Sequence, residues 1–134
     1  MLIIRQYRIY RYDLKANPHI LYIFGDNLDR QGLGGQAAEM RGEPNAFGIA
    51  TKRGIGHGYP DDYFFDEQAD VIPILKKEFA RLRDELAATY AYAYPYEAVV
   101  IPLDGIGTGL SKMPEYAPKA LNYINTMLAT IEEI

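Results

Sequence analysis

Residues 98–110 read Ala98-Val99-Val100-Ile101-Pro102-Leu103-Asp104-Gly105-Ile106-Gly107-Thr108-Gly109-Leu110. The first six form a short continuous apolar run, the pattern of a strand buried on both faces of a parallel sheet. That run passes directly into a glycine-rich loop. The same succession occurs earlier, where His19-Ile20-Leu21-Tyr22-Ile23-Phe24 leads into Gly25-Asp26-Asn27 and then Gly32-Leu33-Gly34-Gly35. In α/β folds ligands bind beyond the carboxyl ends of the strands, so two glycine clusters that each follow a buried strand are expected on one rim.

Outward from these two strands the chain alternates. Residues 2–12 alternate well enough for a half-exposed strand. Residues 36–41 are good helix formers, stopped by Gly42 and Pro44, and residues 46–51 read as a strand. Residues 53–65 have no period and read as a long loop. Val71, Leu75, Phe79, Leu82 and Leu86 then mark one face of a helix. Either that helix starts near Asp70 with Pro73 in its first turn, or it starts earlier and is kinked there. Residues 90–96 (YAYAYPY) are a tyrosine-rich connector. The last helix carries Ala117, Leu121, Ile124, Leu128 and Ile131 on one face and accommodates Pro114 and Pro118 if it begins near Glu115. The predicted order is strand, strand, helix, strand, helix, strand, helix, in one domain over residues 1–134 with helices on both faces of the sheet.

The 134 residues, about half of them hydrophobic, supply one domain's worth of core. No apolar run approaches the roughly 18–20 residues of a membrane span, and the Arg-containing alternation at the start does not resemble a secretory signal. The chain has no cysteine, which excludes disulfides, thiolate metal sites and a Cys nucleophile and suits a cytoplasmic location. His19 and His57 are too few for a His-rich metal site, and no metal or cofactor is expected. The net charge of −4 hides an asymmetry: residues 1–60 hold eight Lys/Arg against five Asp/Glu, residues 61–134 six against thirteen. The basic half is also the glycine-rich half. This favours a small anionic ligand over a nucleic-acid backbone.

Nine of the twelve glycines lie between Gly25 and Gly58, and the other three are Gly105, Gly107 and Gly109. Such loops turn backbone N–H groups towards one point and admit an anion without a Cβ in the way. Two of them facing one crevice suit a diphosphate. Neither is a Walker A loop or a Rossmann fingerprint, and either alone also reads as a tight turn needed for packing.

Asp13-Leu14, then Asp26-Asn27, then Gly32-Leu33-Gly34-Gly35-Gln36-Ala37, and later Ile101-Pro102 followed by residues 105–110 and Pro114, resemble the ordered elements of a macro domain. The resemblance covers roughly residues 13–57 and 99–118 and implies a three-layer α/β/α fold on a mixed sheet that binds ADP-ribose. It implies that Asp13 accepts a hydrogen bond from the adenine amino group and that Asn27 binds the distal ribose. Backbone amides around Gly34, Gly35 and Gln36, and those of Ile106, Gly107, Thr108, Gly109 and Leu110, would hold the diphosphate and distal ribose. Read without it, Asp13 caps a turn before Asn17-Pro18 and Asn27 is a loop residue.

Ile49-Ala50-Thr51-Lys52-Arg53 resembles the strand end of the terminal ADP-ribose protein glycohydrolase branch, in which the lysine is the nucleophile; this implies that role for Lys52. A lysine attacks a ribose carbon once burial or a neighbouring cation lowers its pKa, and Arg53 is the adjacent candidate. Two usual carboxylates are absent: Ser111 and Ala37 stand at or beside their positions, which leaves Asp26 and Asp104 as substitutes for proton handling. The sequence thus supports two functions. One is an ADP-ribosyl glycohydrolase or deacylase acting through Lys52 on ADP-ribose or an ADP-ribosylated macromolecule, and the other is a module that only binds ADP-ribose. Small nucleotide-phosphate hydrolases and unrelated interaction proteins share such folds. His57 on its glycine loop is either exposed or a cover for the ligand. Tyr59, Tyr63, Phe64 and Phe65 either stack on adenine or form a satellite cluster under the long loop, and Asp61-Asp62 read as solvated or cation-binding carboxylates.

Overall fold

The computed structural model describes residues 1–91 and 96–134, so most of the expected connector at 90–96 lies outside the described residues. Its elements are β1 (Leu2–Gln6), α1 (Arg11–Ala16), β2 (Ile20–Asn27), α2 (Ala37–Met40), β3 (Ala46–Lys52), α3 (Val71–Ala91), β4 (Ala98–Pro102), α4 (Met113–Tyr116) and α5 (Pro118–Ala129), followed by a 3₁₀ turn at Thr130–Glu133. The four strands form one sheet in the order β1-β4-β2-β3. Each pairing is parallel, where a mixed sheet was expected. The fold is α/β.

The two apolar runs became the two central strands, β2 and β4, with core residues packed against both of their faces. Every residue of β4 is buried. Along β2, Leu21 and Ile23 join a cluster containing Val71, Leu75, Phe79, Leu82 and Leu86 of α3 and Ala120, Ile124 and Leu128 of α5. The intervening Tyr22 and Phe24 pack instead with Ile9, Leu14, Ala37 and Met40. The period of two thus divides the core between the two faces.

Three expectations need correction. The first strand stops at Gln6 rather than running to Tyr12, because its partner β4 ends at Pro102 and no strand remains to pair with. Residues 11–16 turn into a helix instead, whose start is capped by Asp13 accepting the Tyr10 N–H at 2.8 Å. The last helix is divided: Pro118 opens α5, and Ala117 before it has a non-helical backbone, as the residue preceding a proline tends to. The helix over 71–91 takes the first of its two alternatives, with Pro73 in the opening turn where its missing N–H goes unneeded. Among the described residues no helix is long and apolar enough to cross a membrane.

The outer edge of β3 is covered by side chains. Glu78 of α3 accepts the Ala50 N–H at 2.6 Å, while Arg81 and Arg30 donate to the Gly48 carbonyl at 2.5 and 3.4 Å. Arg30 also pairs with Glu78 at 2.5 Å. The Ala50 N–H and Gly48 carbonyl are thereby withdrawn from pairing with another strand.

Candidate functional site

Because β2 and β4 are parallel neighbours, the loops after them leave the sheet on the same side. There they border adjoining clefts. The first, of about 320 Å³, is lined by Asp26, Asn27, Arg41, Lys52, Ile55 and His57 among others. The second, of about 230 Å³, is lined by Tyr7, Gln36, Asp104 and residues 105–111. Gly25, Gly34, Leu110 and Ser111 line both. A third hollow of about 220 Å³, bordered by Arg8, Ile9, Tyr10 and Glu39, shares Gly35 and Gln36 with the second. The three adjoin one another through these shared residues, and together they make up a trough along the rim.

Both glycine loops present bare amides to this trough. Among the described residues, the backbone N–H groups of residues 32–36 and 106–110 donate to no protein acceptor. Gly107 is required in its loop. Its φ is +82°, and a Cβ there would stand 2.7 Å from Sδ of buried Met113. The Ile106 side chain is buried in the core, so only its backbone is available to a ligand.

Lys52 ends β3 and is buried. Its Nζ donates to the Gly56 carbonyl, lies 3.4 Å from Nδ1 of His57, and sits 5.0 Å from the centre of the Tyr63 ring. Burial pushes its pKa below the ordinary lysine value, with the Asp62 carboxylate opposing the shift. The cation at 53 does not share in this. Arg53 turns to Asp70 and Gln68 and lies over the Phe64 ring.

The loop against Lys52 is built around a carboxylate. Asp62 Oδ2 accepts the Gly58 N–H at 2.8 Å, and Asp29 Oδ2 accepts that of Ile55 at 2.9 Å. Gly54, Gly56 and Gly58 wrap so closely round Asp62 that a Cβ at 56 or 58 would come within 2.6 or 2.9 Å of its Oδ2. These three glycines therefore serve a close approach within the protein. Tyr59, Tyr63 and Phe65 pack on Tyr116 with ring centres 4.9 to 5.7 Å apart beneath the loop, whereas Phe64, expected among them, is fully buried in the main core with Leu75 and Phe79.

The two substitute carboxylates are differently placed. Asp26 is buried, is paired with Arg41 through both oxygens, has Arg30 at 3.8 Å, and accepts the Asn27 N–H at 2.8 Å. Its oxygens hold the loop in place. Arg41 extends that role, donating to the Gly32 and Gln31 carbonyls at 2.8 and 3.2 Å and lying over the Phe24 ring. Asp104 is exposed and lines the second cleft, whereas Lys52 lines the first. The structure does not bring Asp104 and Lys52 into one cleft.

Asn27 is buried at a register shift in β2; its Nδ2 donates to the Gln31 carbonyl at 2.8 Å, while Oδ1 is buried with no partner among the described residues. Gln36 Oε1 is likewise unpartnered. Asp13 Oδ2 caps Tyr10 and accepts from Gln6 at 3.1 Å, and Tyr10 lines the third hollow. Ser111 is buried in the wall common to both clefts, 2.5 Å from the Thr51 hydroxyl.

Sequence reasoning missed Arg41, Asp62 as a loop template, and the apposition of His57 with Lys52. Arg41 stands four residues after Ala37, on the same helical face that lines the first cleft, which is the one local signal that was present. Among the described residues no cluster of His, Asp or Glu is arranged to hold a metal ion.

No curated protein and no solved structure matches the chain. The model of a family of unknown function, DUF7831, matches residues 4–127, a span that includes every residue bordering the trough, and the chain belongs to that family.

Proposed function

We propose that this chain is a macro-domain-like three-layer α/β/α protein whose trough binds ADP-ribose or a related adenine-nucleotide derivative, and that Lys52 releases ADP-ribose from a modified macromolecule. The observation that carries the reading is the pair of loops whose bare amides, at residues 32–36 and 106–110, border one trough. Oriented amide donors favour phosphate oxygens. Three adjoining hollows, with the second between the other two, suit an elongated ligand with a diphosphate near its middle. Its distal ribose would lie in the first cleft, against Asn27 and Lys52.

In that cleft the lone pair of Lys52 forms a bond to the anomeric carbon as the bond to the leaving oxygen breaks. Water then cleaves the carbon–nitrogen bond and regenerates the lysine. Burial of Nζ supports this role, since it favours the neutral amine that attacks. A second reading, binding without turnover, is favoured by the engagement of Asp26 with Arg41 and by the placement of Asp104 in the other cleft.

Calorimetry with ADP-ribose, paired with incubation on a mono-ADP-ribosylated protein, tests both. Binding together with release that disappears in Lys52→Ala supports hydrolysis. Binding with no release supports the second reading. If ADP-ribose gives no heat while other nucleotides bind, the assignment of the trough is wrong.

A further inference from the structure

Hydrolysis through Lys52 needs a group that takes the ammonium proton, and neither expected carboxylate stands ready for it. Asp26 is held by arginines and Asp104 lines the other cleft. We propose that His57 is the proton-transfer partner of Lys52: its Nδ1 takes a proton from Nζ before attack and returns it to the leaving oxygen. This rests on the reading of Lys52 as the nucleophile.

Three observations support it. Nδ1 of His57 lies 3.4 Å from Nζ, a contact slightly longer than the transfer range, as such pairs often are before substrate binds, and both residues line the first cleft. The imidazole accepts at Nδ1 when its own proton is on Nε2, the nitrogen that remains for solvent. Second, the backbone on either side of His57 is fixed, by Asp29 at Ile55 and by Asp62 at Gly58. The exposed Asp29 and half-buried Asp62 carboxylates thus tie the loop on either side of His57 and limit how far its ring can move from Nζ. Third, Nζ is held by the Gly56 carbonyl, one residue before His57, so the same loop orients the amine and supplies the acceptor.

Amine and imidazole differ by roughly four pKa units in water, against transfer from lysine to histidine. Burial of Nζ narrows the gap, while Asp62 on the other side of the loop limits how far it closes. The step balances in atoms and charge. The ammonium gives one proton to Nδ1, the amine bonds to the anomeric carbon, the leaving oxygen takes the bonding pair, and the imidazolium returns the proton to it. A lysine-linked ADP-ribose and the free target hydroxyl or carboxyl group result, with the imidazole neutral again.

The test uses the intact protein, a mono-ADP-ribosylated protein as substrate and two variants. His57→Asn keeps a short acceptor near the position of Nδ1 that cannot carry the proton, and His57→Ala removes it. Both are expected to lose about 100-fold or more in release rate, the usual size of an acid–base contribution. Calorimetric affinity for ADP-ribose should stay within about threefold in both, which also shows that they fold. Added imidazole should restore part of the activity of His57→Ala and none of Lys52→Ala, a response that a structural role for His57 would not produce. Release by His57→Asn within about threefold of the unsubstituted protein overturns the assignment of His57 and leaves Lys52 standing. Absence of release by the unsubstituted protein, with ADP-ribose bound, overturns both.

Discussion

Replacing Glu78 by Gln changes one charged atom in the brace across β3, and the loss follows from three contacts. The Ala50 N–H, 2.6 Å from Glu78 Oε1, keeps an acceptor in the amide. The charge-assisted bond to Arg30 at 2.5 Å is lost, a contribution of about 1.5–3 kcal/mol, taken at its lower end because the Arg30 side chain is 35% exposed. Arg81, at 3.5 Å and 44% exposed, adds about 0.5 kcal/mol or less. Glu78→Gln should therefore cost about 2 kcal/mol. Glu78→Leu also leaves the fully buried Ala50 N–H without a partner and should cost about 4 kcal/mol.

Urea unfolding followed by far-UV circular dichroism reads both variants; with a slope of about 2 kcal/mol per molar, the Gln midpoint falls by about 1 M. The pH dependence has a determined sign. Burial pushes the Glu78 carboxyl up, but Arg30, the Ala50 N–H and Arg81 together outweigh it and hold the pKa below the ordinary carboxylate value. A carboxylate whose pKa is depressed on folding stabilises fully above its unfolded value of about 4.3 and loses that contribution as pH falls through the folded one. The gap between the unsubstituted protein and Glu78→Gln should be flat from pH 8 to about 5 and close below about pH 4. A gap under about 0.5 kcal/mol at pH 7, or one that persists undiminished to pH 3, refutes the reasoning.

Three other changes probe the rim. Gly107→Ala meets both a positive φ and the Met113 sulfur, and should lose about 1–3 kcal/mol in thermal or urea unfolding. Arg41→Met removes the main partner of buried Asp26 and the tie to Gly32, so stability should fall by about 3 kcal/mol and the 31–35 segment should gain amide hydrogen exchange. Asp62→Asn removes the carboxylate that opposes the Lys52 shift; the Lys52 pKa, followed by side-chain nitrogen NMR, should move further down, and an upward movement contradicts the electrostatic account.

The central strands were legible because burial on both faces leaves a continuous apolar run, and α3 because its five core positions keep helical spacing. The end of β1 was not. Residues 7–12 alternate as well as 2–6 do, and what stops the strand is the length of β4, nearly a hundred residues away in sequence. Glycine content marked the rim correctly, yet glycines that bare their amides and glycines that enclose Asp62 look alike in a sequence. The engagement of Asp26 was hidden for a similar reason, since Arg41 approaches it from another element across a fold not yet known. Lys52 was reached through resemblance; its desolvation depends on Tyr63 and on loop 53–58 closing over it.

Gly25, Gly34, Leu110 and Ser111 form a wall shared by the first two clefts, with one compartment on either side of it. On the proposed reading such a receptor would be bidentate. Adenosine monophosphate and ribose 5-phosphate would each fill one compartment and bind weakly, and both would fit at once. Joined through a diphosphate, the second half meets its compartment at an effective concentration set by the link rather than by solution. On that reading the chelate effect would give the chain a preference for the intact ligand over its fragments, so cleavage of the diphosphate would release both pieces without any change in the protein.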